Sequence, residues 1–402
     1  MRRATRWGAL VALLGTAVAI AAIAATTGGQ AASAAKKPLV IGWAYDKSGQ
    51  MAPFDNPALA AAKIRIKQLN AKGGAAGHRF VIKTCDTQNN DAAKAKSCAL
   101  NLLGRGASIL FTTCDVDYAT PVAQEAIKRG KLAISTCIGT DQMGPKRFGK
   151  AGRLAFSFGN VAQDEGSAMA EYAFKRNWKT AGLATNTRLV YFKNVVQAFD
   201  KRFRQLGGKI VTRESYATGA NNVNTAVSRL NSHKAAVYVT STAFGELPAF
   251  VSGLRSLRNN TPIINSWAGD GTYWLPSSPK VTNYYFVTYA SIFGDDPSTE
   301  VRRMIASLKA VGATPGTGGF LGGADTIDGL AIAIKRAHGS LKGSVLAAQL
   351  EKFKKVKVLG GTIGFSRSLH TVFGRNYRVI KIQSNNAKLV GTVTAKVVPK
   401  LP

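Results

Sequence analysis

The sequence predicts an α/β fold of two doubly wound, parallel-sheet lobes. Three observations carry that expectation. Short apolar runs alternate with helix-spaced apolar residues, the alternation restarts near residue 160, and a chain of 402 residues that is 46% hydrophobic can bury two separate cores. With 19% charged residues, 41 glycines and 13 prolines, the composition excludes disorder, collagen-like repeats and a multi-span membrane protein.

In the first half, Pro38 to Tyr45 is a short apolar run and reads as the first buried strand. Asn56-Pro57 reads as an N-cap with proline in the first helical turn. Leu59, Ala62, Ile66 and Leu69 then keep helical spacing up to the stop at Gly73-Gly74. Strands are expected from Phe80 to Cys85, Ser108 to Thr112 and Lys131 to Ser135. Helices are expected from Asp91 to Leu103 and from the Thr120-Pro121 cap to Gly130.

The second half opens with a helix over Gln163 to Arg176 and a strand over Thr180 to Thr185. Val196, Phe199, Phe203 and Leu206 form one apolar helix face before Gly207-Gly208, and Ile210 to Arg213 follows as a strand. A helix over 223–231, a strand over 235–240, a helix with Leu247, Phe250, Leu254 and Leu257 on one face, and a strand over 262–265 complete the reading. The halves echo each other loosely. Each has a helix ending at Gly-Gly, then a strand, then a loop with an Asn-Asn pair (89–90, 221–222) opening the next helix.

The N-terminus reads as an export signal: Arg2, Arg3 and Arg6, an apolar run from Gly8 to Ala25, then Ala32-Ser33-Ala34. Cleavage is expected after Ala34, and the alternative of an uncleaved anchor is weakened by the low hydrophobicity of an alanine-rich run. The net charge of +33, with 54 basic against 21 acidic residues, falls to about +30 once those three arginines leave. Export places Cys85, Cys98, Cys114 and Cys137 in an oxidising compartment, where three pairings are open.

These residues are similar to the type I periplasmic-binding-protein family, in particular the leucine/isoleucine/valine-binding branch of ABC-transporter substrate-binding proteins. The stretches that carry the resemblance are Val40-Ile41-Gly42 with Ser48-Gly49, Gln68 to Gly74 with Gly77, and Thr84 to Asp91. In the second half they are Leu206 to Val211, Tyr216, and Gly219 to Leu230 before Ala236 to Val239. Together they span about residues 38 to 395. The resemblance implies two lobes joined by a three-stranded hinge, with crossings near 157, 290 and 360. It places 38–156 with 291–358 in an N-terminal lobe and 157–290 with 359–402 in a C-terminal lobe. It also implies the pairings Cys85–Cys98 and Cys114–Cys137, since the second pair stands just past two neighbouring strands. Free buried thiols are the alternative.

The same resemblance implies the site. Ligands in open α/β sheets bind beyond the carboxyl ends of the strands, here between the lobes. Phe54 matches the family's aromatic wall, and Asp115, Val116 and Asp117 match a serine-bearing loop that receives a ligand carboxylate. Thr136 and Thr140 match the other carboxylate-side loop, Tyr191 an aromatic position and Asp270 an acidic position that holds the ligand's amine. An aspartate in place of serine repels a ligand carboxylate, so either Asp115 points away or the ligand is not a simple α-amino acid. Asp115, Asp117 and Asp270 would together suit a cation, with helix capping as the alternative role for each. Trp43, Tyr118, Trp267, Tyr273 and Trp274 are candidates for stacking on a cation or ring, with core packing as their alternative.

The expected function is therefore capture of a small polar ligand by hinge closure for an ABC permease. That ligand would be a branched-chain amino acid or a related amino acid, amide or amine. No P-loop, G-x-S-x-G, H-E-x-x-H or C-x-x-C motif is present, and the glycines of 316–323 miss the dinucleotide-binding spacing; no enzyme, metal or cofactor is expected. His78, His233, His338 and His370 are too scattered for a metal site and read as surface or turn residues. Fourteen Lys/Arg stand against Glu351 alone between Lys335 and Pro402. This suggests attraction to an anionic membrane or cell-wall surface, the alternative being a general basic bias of secreted proteins; no nucleic-acid module is evident. A secreted monomer in the periplasm or cell-wall space is expected. A sensor lobe signalling to a membrane partner and an exported enzyme on the same fold are the competing functions.

Overall fold

The computed structural model describes residues 36–401, so the expected signal segment and its cleavage point lie outside the described residues. The chain first runs β1 (Leu39–Tyr45), α1 (Ala52–Ala71), β2 (Phe80–Asp86), α2 (Ala92–Gly104), β3 (Ile109–Thr112), α3 (Val116–Lys128), β4 (Leu132–Ser135) and β5 (Ala155–Asn160). A second run is α4 (Ala162–Lys175), β6 (Thr180–Asn186), α5 (Val190–Gln205), β7 (Lys209–Tyr216), α6 (Ala220–Asn231), β8 (Val237–Ser241), α7 (Glu246–Ser256), β9 (Ile263–Asn265) and β10 (Tyr284–Thr288). The chain then returns through α8 (Thr299–Ala310), α9 (Phe320–Arg336), α10 (Gly343–Leu350), β11 (Val356–Val358), β12 (Gly361–Ile363) and β13 (Thr371–Val372). It ends with β14 (Tyr377–Gln383) and β15 (Asn386–Val393).

Among the described residues two large sheets result, ordered β13-β5-β4-β3-β1-β2 and β15-β14-β10-β9-β8-β6-β7, and β11 pairs with β12 in a separate two-stranded hairpin. The first is parallel throughout, with Ile41 opposite Ile109 and Ile109 opposite Leu132. These central strands are buried on both faces, which is why they read as apolar runs without alternation. The second sheet is mixed, which corrects the expectation of two parallel sheets. Gln383 pairs with Asn386 across Ser384-Asn385, both at positive φ, a two-residue turn that forces β15 antiparallel to β14.

Apolar layers lie on each sheet face. Leu39, Phe80, Ile327 and Leu330 belong to the layer under α1 and α9; Leu102, Val122 and Ala126 belong to that under α2 and α3. Under α6 and α7 lie Val227, Leu230, Phe250 and Leu254. A further cluster packs α4 and α5 on the second sheet and continues through Trp267 to Phe54, Cys114, Phe320 and Leu321 of the first lobe.

Several expected boundaries move. Helix α1 starts a turn before Asn56, whose side chain instead donates to the Lys47 carbonyl. Pro57 therefore lies inside the helix and has no N–H to offer Pro53; the Pro53 carbonyl accepts from Thr317 Oγ1 at 3.4 Å. Helix α3 starts before Thr120, because Asp115 caps it. β5 runs to Asn160 and β13 to Val372, beyond the crossings expected near 157 and 360. β5 and β13 both pair within the first sheet, and Ile363, Phe365 and Val372 are buried in its core. His370 and His78 are buried rather than superficial: His370 stacks on Phe156 at 4.0 Å between centroids, and His78 bridges the Lys37 and Gly339 carbonyls. Both expected disulfides form, with Cα–Cα distances of 5.5 Å for Cys85–Cys98 and 4.9 Å for Cys114–Cys137.

The three crossings meet at Arg375, which is 2% exposed. Its guanidinium donates to Asn160 Oδ1 at 2.9 Å and the Phe158 carbonyl at 3.3 Å on the first crossing, and to Asp325 Oδ2 of α9 at 2.6 Å. It also lies 5.2 Å from the ring of Tyr289 on the second crossing, while the Tyr289 hydroxyl accepts from Asn160 N. One side chain on the third crossing thus touches the other two.

Candidate ligand-binding site

Beyond the carboxyl ends of the strands, a cavity opens between the lobes. Met51, Phe54, Cys114 and Asp115 line it from the first lobe; Leu189, Tyr191, Phe192, Ala243, Phe244, Trp267 and Ala268 line it from the second. The space between these side chains is about 20 Å³, the room of roughly one water. Any larger ligand requires the lobes to part.

The two lobes meet through rings. Phe54 lies 4.9 Å from Trp267 and 6.4 Å from Tyr273, centroid to centroid, and Trp267 stacks on Tyr289 of the second crossing at 5.3 Å. The Tyr191 hydroxyl donates to Glu165 Oε2 at 2.8 Å, and Glu165 also accepts from Trp267 N. Burial pushes the Glu165 carboxyl up to about 8, despite those two bonds. Phe244 holds φ at 55°, a left-handed conformation costly for a bulky residue. The Arg188 guanidinium covers its ring at 4.6 Å, pairs with Glu246 at 3.3 Å and reaches Gln50 of the first lobe.

Of the expected site residues, Phe54, Asp115 and Tyr191 come together here. Asp115 Oδ1 accepts from the backbone N–H of Asp117 at 2.8 Å and of Tyr118 at 3.4 Å, as the N-cap of α3. Its burial, then the charge of Asp117, pushes its carboxyl up to about 6. Val116, the first residue of α3, is buried in the layer beneath that helix, and Asp117 turns to an ion pair with Arg147. Thr136 and Thr140 are buried behind the cavity: the Thr136 carbonyl is so close to α9 that a Cβ on Gly322 would stand 2.0 Å from it, and the Thr140 carbonyl accepts from Thr371. Asp270 does not line the cavity. Its Oδ2 accepts from Thr288 Oγ1 at 2.6 Å and from Gly318 N at 2.7 Å, fastening the second lobe to the start of α9. Burial raises its carboxyl to about 7.

Trp43 and Trp274 belong to cores, Tyr118 packs beside the interlobe cluster, and only Trp267 of the five stacking candidates lines the cavity. Glu165, Phe192 and Phe244 were missed. Phe192 and Phe244 lie within a few residues of the ends of β6 and β8, a placement the carboxyl-end rule would have flagged; Glu165 left no signal beyond its place at a helix start. Asp55, Cys114 and Cys137 offer atoms close enough for a metal, yet both sulfurs are spent in a disulfide, so the thiolates a metal needs are lacking.

A family model described as Periplasmic binding protein matches residues 38–387. The chain belongs to that family. Among curated proteins it is similar to Leu/Ile/Val-binding protein homolog 3 of Brucella melitensis, 27% identical over 223 residues, which is 54% of this chain and 57% of that relative. The match thus spans little more than half of the relative's length. Among solved structures it is similar to the branched-chain amino acid transporter substrate binding protein LivJ of Streptococcus pneumoniae in complex with isoleucine. The TM-score is 0.75 at 19% identity, covering 89% of this chain and 99% of that one. A solute binding protein of an ABC transporter from Rhodopseudomonas palustris, in complex with 3,4-dihydroxy benzoic acid, superposes with TM-score 0.73 at 16% identity over 90% and 99% of the two chains. At these identities the structures establish the shared fold. Among the described residues, no helix is long and apolar enough to cross a membrane.

Proposed function

We propose that this periplasmic binding protein captures a small amino-acid-like or amine ligand between its lobes and presents the closed form to an ABC permease. The observation that carries the reading is a cavity built from both lobes at the carboxyl ends of their strands, so that closure and occupancy are one event. The moving bodies are residues 38–160 with 291–372, and 161–290 with 373–401. The likeness to an isoleucine-bound and a dihydroxybenzoate-bound protein supports a small organic ligand with an apolar part.

A thermal-shift screen of the mature chain against amino acids, amines, amides and aromatic acids tests the reading. A ligand at roughly a hundredfold over its dissociation constant stabilises the fold by about 2.7 kcal/mol. Phe54→Ala should weaken the hit by about tenfold or more, since a large aromatic wall is lost at the lobe junction. An unchanged affinity would remove this cavity from consideration.

The basic surface has a place in the same reading. Lys335, Arg336, Lys352, Lys354, Lys355 and Lys357 are all exposed around the β11–β12 hairpin and the end of α9, with Arg336 lying 5.1 Å over the Phe353 ring. Such a patch would hold the protein near anionic headgroups beside a permease.

A further inference from the structure

Resting on that reading, we infer that the ligand is an organic ammonium with an apolar body and no carboxylate, its nitrogen held by Asp115 within an aromatic cage. In a binding protein of this architecture, the free N–H groups at a helix start beside the cleft are the natural receptor for a ligand carboxylate. Here the chain supplies that carboxylate itself: Asp115 Oδ1 already takes the Asp117 and Tyr118 N–H groups. An amino acid would have to displace a covalently tethered competitor of the same charge.

Among the described residues, no cation around the cavity replaces that receptor. Among the described residues no Lys or Arg lines it, and the nearby Arg188 is committed to Glu246, to Gln50 and to the Phe244 ring. The Trp267 indole N–H, beside Gly319 of the loop entering α9, is buried without a hydrogen-bond partner among the described residues; it is a single neutral donor and carries no charge to balance a carboxylate. What the cavity does offer is five aromatic side chains, Phe54, Tyr191, Phe192, Phe244 and Trp267, with one carboxylate among them. The second oxygen of Asp115 takes no hydrogen bond among the described residues. Ring faces around a carboxylate are the surroundings that select a desolvated ammonium. The strained backbone at Phe244 is maintained on one wall of this cage.

Matched pairs that differ only in the carboxylate test the inference by calorimetry: 3-methylbutylamine against leucine, and phenethylamine against phenylalanine, with choline and benzoate added. The expected result is that amines bind the intact mature protein at least about tenfold more tightly than their amino acids. Asp115→Asn, which still caps α3, should lose that preference, and Asp115→Ser should reverse it by freeing the helix amides. Circular dichroism keeps a folding failure distinct from a specificity change. If leucine or benzoate binds the intact protein as tightly as the amines, the inference is overturned while the binding-protein reading stands. Should Asp270→Asn remove amine binding and Asp115→Asn leave it intact, the nitrogen is assigned to Asp270 and the inference is again overturned. No binding by any member of either set overturns both readings.

Discussion

Asp115 and Asp270 are both acceptors at helix starts, but they serve different helices. Asp115 caps α3 within its own lobe, whereas Asp270 reaches from the second lobe to the loop entering α9. Asp270→Ala should therefore lower stability by about 1–3 kcal/mol, the cost of stranding the buried Gly318 N–H and Thr288 hydroxyl, measured as a shift in urea midpoint. It should also leave the cleft more open in small-angle scattering, which loss of a cap inside one lobe would not do. The run Gly318-Gly319 and Gly322-Gly323 belongs to the same junction: a Cβ at Gly323 would stand 1.9 Å from the Ala58 carbonyl. Those glycines, which miss the dinucleotide-binding spacing, here serve close approach. Asp115 and Asp270 were visible in the sequence, Glu165 was not; which acid faces the cavity was hidden too, because that depends on where helices α1 and α3 begin. Both helices start upstream of the Pro that marked them, at Ala52 and Val116.

At the scale of elements, the strand–helix alternation up to β9 was legible because buried parallel strands and Gly-stopped helices leave local patterns. The return through α8 to β13 and the final hairpin were not, since their place is decided by which lobe core takes Ile363, Phe365 and Val372. The disulfides are local staples on this scaffold. Replacing Cys114 and Cys137 with alanine should cost about 3 kcal/mol for a loop of 23 residues, and the Cys85–Cys98 pair about the same for 13, read from denaturant midpoints. The crossings depend instead on Arg375. Breaking its buried pair with Asp325 in Arg375→Met should destabilise the protein by about 3–5 kcal/mol, and a double Arg375→Met, Asp325→Leu variant should recover part of that loss.

At the scale of the whole molecule, five buried carboxyls among the described residues hold their protons more tightly than in an open chain. Burial lifts Asp55 and Asp270 from 3.8 to about 7, Asp115 and Asp164 to about 6, and Glu165 from 4.5 to about 8. A raised folded-state value contributes stability below the unfolded value and loses it as pH rises through the folded one. The unliganded protein should accordingly melt at a higher temperature near pH 5 than near pH 8, the reverse of ordinary acid lability. A melting point flat or falling on acidification over that interval would contradict the burial of these groups. The basic surface makes a second prediction at this scale: the mature protein should sediment with vesicles rich in anionic lipid at low salt and be released as salt rises toward 0.5 M, where the Debye length is only a few ångströms. Replacing Lys352, Lys354, Lys355 and Lys357 by glutamine should reduce that retention.

The meeting of three strands of chain at Arg375 also has a kinetic meaning. Because its guanidinium touches the side chain and backbone of the first crossing and the ring on the second, and is itself carried by the third, no crossing can swivel while the others stay still. The lobes then possess one degree of freedom, an axle instead of three loose cords. Trp267, stacked on Tyr289 at that axle, should report each capture event by stopped-flow fluorescence as one exponential, and cutting the axle with Arg375→Met should split it into several.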